Sequence, residues 1–293
     1  MTYKRSTGEK VFACFNVCFM VLLCFATLYP FIYILFASLS NPAEIASYRG
    51  LLFLPQGFSL DAYKAVIENP MVMTGYRNTL LYVVGGTLIN LFMTTLGAYA
   101  LSRPHVYFKN HIMLVIVITM VFSGGLIPSF LLINNLGMLN TPWALLLQGA
   151  INSFNLIIMH TAFQSIPVSL EESARIDGAN DWTIMTRIII ALSMPVIAVM
   201  ILWYAVGHWN SYFNALIYLR DRELFPLQLV LREILISNST DNMMTGAATG
   251  DRMDIGITIK YATIIVSTLP ILVLYPFLQK YFVHGVMIEA LKE

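Results

Sequence analysis

The residues of this chain that are best suited to chemistry form one polar, aromatic stretch, Gly207-His208-Trp209-Asn210-Ser211-Tyr212-Phe213-Asn214. Aromatic faces stack on C–H surfaces and amides bond hydroxyl groups, so this composition suits sugars. An equally good interpretation places the aromatic rings in an interfacial belt and has the asparagines bond across helices. The candidate ligand-binding residues are His208, Trp209, Asn210, Tyr212 and Asn214.

Signatures of catalysis and of a built-in energy source are missing from the sequence. No glycine-rich loop ends in Gly-Lys-Ser/Thr, so the chain cannot hold ATP phosphates in the P-loop manner. A proton- or sodium-driven carrier is expected to place charged residues inside its spans, whereas the apolar segments leave only His160 and His208 as relay candidates. We expect both histidines to be hydrogen-bonded interface groups. The sequence therefore predicts a protein that is not an enzyme and that needs no cofactor or metal.

A charged island, residues 169–195, lies between long apolar segments and holds a second group of candidate residues. Ser169 and Glu172 have the spacing of a capping box, which predicts a short helix that begins at Leu170. Gly178 stands where a left-handed C-terminal cap is expected. The island therefore predicts a helix that ends at a glycine turn.

The residues after that turn predict a second helix, because Asn180 or Asp181 can cap it and it can run toward Pro195. The pair would form a rigid bent unit. Its apolar members are too many for a solvated loop, so we expect something outside the membrane to cover them. These members are Leu170, Ala174, Ile176, Ala179, Trp182 and Met185.

The island resembles the signature of the membrane subunits of binding-protein-dependent ABC importers: Glu-Ala-Ala, three residues, Gly, nine residues, Ile-x-Leu-Pro. Glu172, Ala174 and Gly178 fall in that register, while Ser173 and Ala191 replace an alanine and a proline. The resemblance implies that the coupling segment, residues 166–193, is a cytoplasmic coupling helix that docks in a groove of a separate ATPase. A cytoplasmic linker with a tidy cap is the alternative. The residues expected at this contact are Glu171, Glu172, Ala174, Asp177, Gly178, Ala179 and Trp182.

Composition places the chain among polytopic membrane proteins, since 58% of its 293 residues are hydrophobic and 11% are charged. Residues 110–170 include no Asp, Glu, Lys or Arg, and at about 1.5 Å per residue they are long enough for two spans. The sequence predicts an all-α fold with one transmembrane domain, residues 1–293. Its six spanning helices are expected at about 11–39, 78–101, 111–134, 142–165, 196–219 and 259–280.

Six spans would place both termini on the same side as the coupling segment. Lys4, Arg5 and Lys10 precede the first span and favour a cytoplasmic N-terminus, although Lys and Arg divide almost evenly between the two sides. The resemblance implies a multi-pass protein of the cell inner membrane with both termini in the cytoplasm.

A charged loop, residues 220–258, falls on the opposite side and has helical spacing in its first half. The resemblance implies that this external loop meets a solute-binding protein. The candidate contact residues are Arg232, Glu233, Asn238 and Asp241. The alternative is a solvated connector.

Residues 123–128, Ser-Gly-Gly-Leu-Ile-Pro, resemble the branch of the family that serves polysaccharide-degrading systems, including importers of alginate and rhamnogalacturonan oligomers. The resemblance implies a maltose-permease-like subunit that forms half of the path for an oligosaccharide, such as alginate or another uronate-containing oligomer. The implied partners are a homologous second permease, two copies of an ABC ATPase, a sugar-binding protein, the oligosaccharide and the lipid bilayer, and nucleic acid is not among them. The alternative is a self-powered channel or a secondary carrier for a small polar solute.

Overall fold

The computed structural model describes residues 6–236 and 256–273, and every regular element in these ranges is helical. The prediction of an all-α fold is therefore confirmed. The α-helices are α1 (Thr7–Ser38), α2 (Pro42–Ser47), α3 (Asp61–Glu68), α4 (Pro70–Ser102), α5 (Lys109–Val121), α6 (Leu126–Asn135), α7 (Trp143–Leu146), α8 (Ser153–Gln164), α9 (Val168–Ile176), α10 (Asp181–Leu192), α11 (Met194–Trp209), α12 (Phe213–Tyr218), α13 (Leu227–Ile236) and α14 (Gly256–Val273). Helix α10 contains a π-helical turn, Ile184–Ile189.

Three of these helices, α1, α4 and α14, are long and apolar enough to cross a membrane, and the total is five if each of two bent pairs counts as one span. The side chains of α1 show why a bilayer is needed. Phe12, Phe15 and Phe25 are each 69% or more exposed. Apolar surface of this extent needs lipid or a partner to cover it, which agrees with the prediction of a membrane protein.

The predicted third span, 111–134, is not one helix. Helices α5 and α6 meet at a bend of 113°, and Gly125 at the start of α6 has φ +84° and extended ψ. The hydropathy of this segment is continuous, but a residue with that backbone conformation cannot continue an α-helix. The break falls inside the Ser-Gly-Gly-Leu-Ile-Pro string at residues 123–128.

The later predicted spans are also interrupted. Residues 142–165 contain the short helix α7 and then α8, which begins where the Asn152 side chain accepts a hydrogen bond from Asn155 N. Residues 196–219 contain most of α11 and all of α12, with a gap at residues 210–212. The first part of the predicted last span lies in α14, and residues 274–280 lie outside the described residues.

The described residues divide into two compact units. The first includes the residues up to Pro70 and those of the Leu231–Leu269 range. Its core contains Ala37, Ile45 and Leu52, and the Ser38 and Tyr63 hydroxyls lie 2.7 Å apart. The three cysteines of α1, Cys14, Cys18 and Cys24, are free and exposed on that helix.

The second unit includes Met71–Val230 and holds the coupling segment and the polar aromatic stretch. Its core joins α4, α8, α10 and α11 through apolar side chains, with Thr94 and Tyr204 hydroxyls bonded across the helices at 2.7 Å. The buried core residues are Ala98, Tyr99, Met159, Phe163, Ile184, Met185, Ile189, Ile197, Met200 and Tyr204. The helices that position both candidate sites therefore share one core.

Candidate functional site

Helices α9 and α10 are joined by a turn at Gly178, whose φ is +83°, and we call the two helices with this turn the elbow. Ala179 N donates to Ala174 O at 2.9 Å, and Gly178 N donates to Arg175 O at 3.0 Å. This pair of bonds is a Schellman motif, which places its C′ residue in the left-handed region where glycine has no Cβ to clash. The predicted left-handed cap at Gly178 is confirmed.

The N-terminal cap of α10 is the predicted one, whereas the N-terminal cap of α9 is not. Asn180 caps α10, since its Oδ1 accepts a hydrogen bond from Thr183 N at 2.8 Å. The predicted capping box at Ser169 is wrong, because α9 begins at Val168 and its N-cap is Pro167, with no side-chain cap bond. Proline has a fixed φ and no N–H to satisfy, so it can stand directly before a helix. Ser169 therefore lies inside the first turn of α9.

A network of ion pairs holds the elbow to the rest of the second unit. Arg103, one residue after the end of α4, pairs with Glu171 through Nη1 and Oε2. Arg175 Nη2 lies 2.9 Å from Glu171 Oε1 and also pairs with Asp181 at the start of α10. The network thus includes residues from both arms and one residue from beside α4.

Glu171 is ionised in this network. Burial raises the pKa of its carboxyl, but hydrogen bonds from Arg175 and Arg103 lower the pKa by more, so the pKa lies below its usual value. The side chain is 6% exposed, against 12% for Arg103. Both oxygens of the Glu171 carboxylate are therefore bonded to arginines of the same chain, which favour its charged form.

The predicted ATPase-contact residues fall into two groups. Glu171 is buried, and Ala174 and Ala179 pack against the core of the second unit. The other four are exposed on the elbow, namely Glu172, Asp177, Gly178 and Trp182. The apolar residues that we expected to be covered from outside divide similarly, because Met185 is 4% exposed whereas Leu170, Ile176 and Trp182 are 44%, 87% and 57% exposed.

The predicted ligand-binding residues begin at the end of α11. His208 donates from Nε2 to Asn90 Oδ1 at 2.6 Å, and Asn90 Nδ2 donates to Gly149 O at 2.8 Å. A Cβ on Gly86 would overlap the imidazole, since even the ring atom Cδ2 would lie 2.8 Å away. The prediction that His208 is a hydrogen-bonded interface group is confirmed.

Trp209 is buried at 6% exposure and packs edge-on against Tyr76, with the ring centroids 6.3 Å apart. Among the described residues no acceptor reaches its indole Nε1. Asn210 and Tyr212 are exposed in the gap before α12, and Asn214 is half-buried in that helix. The polar aromatic stretch therefore has a packed first part, His208 and Trp209, and an exposed second part that includes Asn210 and Tyr212.

Sequence reasoning missed three residues that position these sites, namely Gly86, Asn90 and Arg103. Asn90 had a signal, because it is a lone amide within a long apolar segment and such residues bond across helices. Gly86 also had a signal, because a small residue in a spanning helix permits close helix contact, although the partner could not be named. Arg103 had none, since its role depends on which side chain the fold places opposite it.

The beginning of the external loop is bonded to α4 by side chains. Asn78 Nδ2 donates to Glu223 O at 2.6 Å and to Phe225 O at 3.0 Å. Leu227 N donates to Thr79 Oγ1 at 2.8 Å. Beyond this anchored part, Arg232 and Glu233 are half-buried on α13, and Asn238 and Asp241 lie outside the described residues.

Within residues 6–236 and 256–273, no group of three His, Cys, Asp or Glu side chains is placed to hold a metal ion. The polar groups of the stretch 207–214 are amides, hydroxyls, an imidazole and an indole. Such groups form hydrogen bonds to neutral or charged ligands without a cofactor.

Comparisons with known proteins cover almost the whole chain. Residues 94–288 match a family model described as binding-protein-dependent transport system inner membrane component. The chain is 41% identical to Protein LplC of Bacillus subtilis (strain 168), over 99% of this chain and 98% of that protein. It is 40% identical to the polygalacturonan/rhamnogalacturonan transport system permease protein YtcP of the same organism, over 94% of this chain and 96% of that protein.

A solved structure is similar over the same extent. The crystal structure of a bacterial ABC transporter involved in the import of the acidic polysaccharide alginate contains a chain that matches with a TM-score of 0.88 and 34% sequence identity. The match covers 96% of this chain and 100% of that chain. At this identity the similarity includes both fold and sequence.

Proposed function

The chain belongs to the family of binding-protein-dependent transport system inner membrane components, and on that premise we propose that it is one of two permease subunits of an ATP-driven importer of acidic oligosaccharides. The family identified from the coupling segment is thereby confirmed.

The elbow is the observation that carries the proposal. The turn at Gly178 supports three exposed apolar residues outside the apolar spans, Leu170, Ile176 and Trp182, which are 44%, 87% and 57% exposed. Exposed apolar side chains on a rigid support indicate a protein contact. We assign the ATPase contact to this outer face together with Glu172, Asp177 and Gly178, and we assign Glu171, Ala174 and Ala179 to its support from inside.

The proposed energy source is a separate ATPase, because the chain has no P-loop of its own. Two copies of an ABC ATPase would bind the elbows of this chain and of a homologous second permease. The coupling segment and both termini then lie in the cytoplasm. Residues 1–293 act as one transmembrane domain in this arrangement, with the coupling segment as its cytoplasmic contact.

The substrate class is proposed from the relatives. YtcP is named for polygalacturonan and rhamnogalacturonan, and the similar crystal structure is of an importer of alginate. Polymers of these classes share uronate units with many hydroxyl groups. Asn210, Tyr212 and Asn214 supply an aromatic face and neutral hydrogen-bonding groups along the proposed path. His208 and Trp209 hold this stretch against α4 from its buried side, through Asn90 and Tyr76.

The external loop is the proposed contact of the sugar-binding protein. The anchoring of its first residues to α4 by Asn78 and Thr79 supports a defined surface on that side. Arg232 and Glu233 are its proposed contact residues among those described, and Asn238 and Asp241 complete the proposed set.

The test is transport by the reconstituted complex. The chain, its second permease, the ATPase and the binding protein would be placed in liposomes, and uptake of labelled oligogalacturonate and of alginate oligomers would be measured with ATP. We expect uptake only when ATP and binding protein are both present. Uptake by the chain alone, or uptake abolished by a protonophore while ATP remains, would instead favour a channel or a secondary carrier.

A further inference from the structure

The side chain that ties the coupling segment to the rest of the second unit is Arg103. We propose that Arg103 is a positioning residue for coupling: through Glu171 it holds helix α9 against the end of helix α4, so that both move together when the coupling segment is displaced. This role rests on the proposed function of the elbow as the ATPase contact.

Three elements meet at the Arg103 guanidinium. Its Nε and Nη2 donate to Ser102 Oγ at 3.1 and 3.0 Å, Nη2 donates to Phe163 O at 3.3 Å, and Nη1 donates to Glu171. Ser102 is the last residue of α4, Phe163 lies near the end of α8, and Glu171 lies in α9. One side chain therefore fixes the ends of two helices and the coupling helix.

The guanidinium is itself held in place. Its central carbon lies 4.9 Å from the centroid of the Tyr99 ring, one turn earlier in α4. A cation over an aromatic face is attracted to it, and the planar fork of arginine forms several directed bonds at once. Lysine has no such fork, so it could keep the charge but not the whole set of contacts.

Glu171 extends the link across the elbow. It pairs with Arg175 in the same helix, and Arg175 pairs with Asp181 in the other arm. The two neighbouring acids of the island therefore have separate positions, since Glu171 faces inward to Arg103 and Glu172 is exposed. A displacement of either helix is therefore passed to α4 through these directed bonds in addition to the shared apolar core.

A buried ion pair is suited to this role more than to raising stability. Replacing such a pair by apolar groups is often neutral for stability, whereas a charged pair specifies one geometry. Glu171 keeps its pair with Arg175 wherever α9 lies, whereas moving α9 away from α4 would leave the Arg103 side chain, which is 12% exposed, without this counter-ion. The pair thus favours one orientation of α9 relative to the end of α4.

The experiment uses the complete complex with Arg103→Gln, Arg103→Lys, Glu171→Gln and the double variant Arg103→Gln/Glu171→Gln. Arg49→Gln is the matched control, because Arg49 is an exposed arginine of the segment before α3. The measured quantity is the ratio of binding-protein-stimulated to basal ATP hydrolysis, at equal abundance of ATPase-bound complex. We expect Arg103→Gln to lower this ratio roughly tenfold, Arg103→Lys to lower it less, and Arg49→Gln to leave it at the wild-type value.

The double variant separates a shared role from two unrelated defects. If Arg103 acts through Glu171, the double variant is no worse than the more affected single variant, since partners in one pair are not additive. Additive losses, equal ratios in the Lys and Gln variants, or wild-type ratios in Arg103→Gln and Glu171→Gln would each overturn the positioning role. Loss of assembled complex in all of these variants would also overturn it, in favour of a folding role. A wild-type complex without any stimulation would refute the proposed function itself.

Discussion

The imidazole of His208 lies directly against Gly86, so that a Cβ on that glycine would overlap the ring. The contact places His208 Nε2 within 2.6 Å of the Asn90 side chain, one turn further along α4. Helices α4 and α11 are thereby joined by a polar contact, and the space beside it excludes any residue larger than glycine at position 86. Polar contacts between apolar helices hold them in register.

We predict that Gly86→Ala displaces His208 and breaks its bond to Asn90. Overpacking a well-packed core costs about 1–3 kcal/mol, so the unfolding midpoint of the detergent-solubilised complex should fall and uptake should decrease. Gly85→Ala is the matched control, because its Cβ would meet only Leu146 Cδ2, at an ordinary 3.7 Å. Equal stability of the two variants would contradict the contact.

We predict that Gly178→Val uncouples the complex while leaving membrane insertion normal. A non-glycine residue in the left-handed conformation costs about 1–2 kcal/mol, and a shift of the turn would change the angle between α9 and α10. The measurements are uptake, expression level and co-purification of the ATPase. Gly178→Asn should be milder, because asparagine tolerates this conformation better than valine. Full uptake by Gly178→Val at wild-type abundance would show that the segment is a linker.

We predict an acid-dependent contribution of Glu171 to stability. Its folded pKa is lower than its ordinary value of 4.5, so the contribution is fully present above about pH 5 and is lost as the pH falls through the folded pKa. Glu171→Gln should therefore be less stable than wild type at pH 7, by about 1–3 kcal/mol for a buried charged hydrogen bond, and the gap should close in acid. Thermal unfolding of the complex between pH 7 and pH 3 measures it. A gap that stays constant with pH would rule out ionised Glu171 as its source.

We predict that Asn78→Ala loosens the first residues of the external loop. The change removes the amide that donates to Glu223 O and Phe225 O, and each lost bond costs about 0.5–1.5 kcal/mol. Hydrogen exchange should become faster in residues 222–227, and stimulation by the binding protein should weaken. Asn135→Ala is the control, since Asn135 is an exposed asparagine of α6. Unchanged exchange in the Asn78 variant would contradict the anchoring.

The sequence by itself determined the class of the protein and the features set by neighbouring residues. Long runs without charge require lipid, because backbone groups in a bilayer must bond within helices. The turn at Gly178 and the cap at Asn180 were predictable because each depends on bonds between residues a few positions apart. The spacing of Glu172, Ala174 and Gly178 was also enough to identify the family.

Only the tertiary structure decided which residues of those patterns face inward. Sequence spacing treats Glu171 and Glu172 alike. Glu171 is nevertheless buried against Arg103, which lies 68 positions earlier in the sequence, and Glu172 is exposed. Likewise, a continuous apolar run does not reveal that α5 and α6 bend by 113°, because hydropathy reports transfer out of water and not backbone conformation. The contact between Gly86 and His208 joins residues 122 positions apart in the sequence, and no local rule relates them. Packing fixes such partners because each helix has several possible neighbours, and only the folded arrangement selects one.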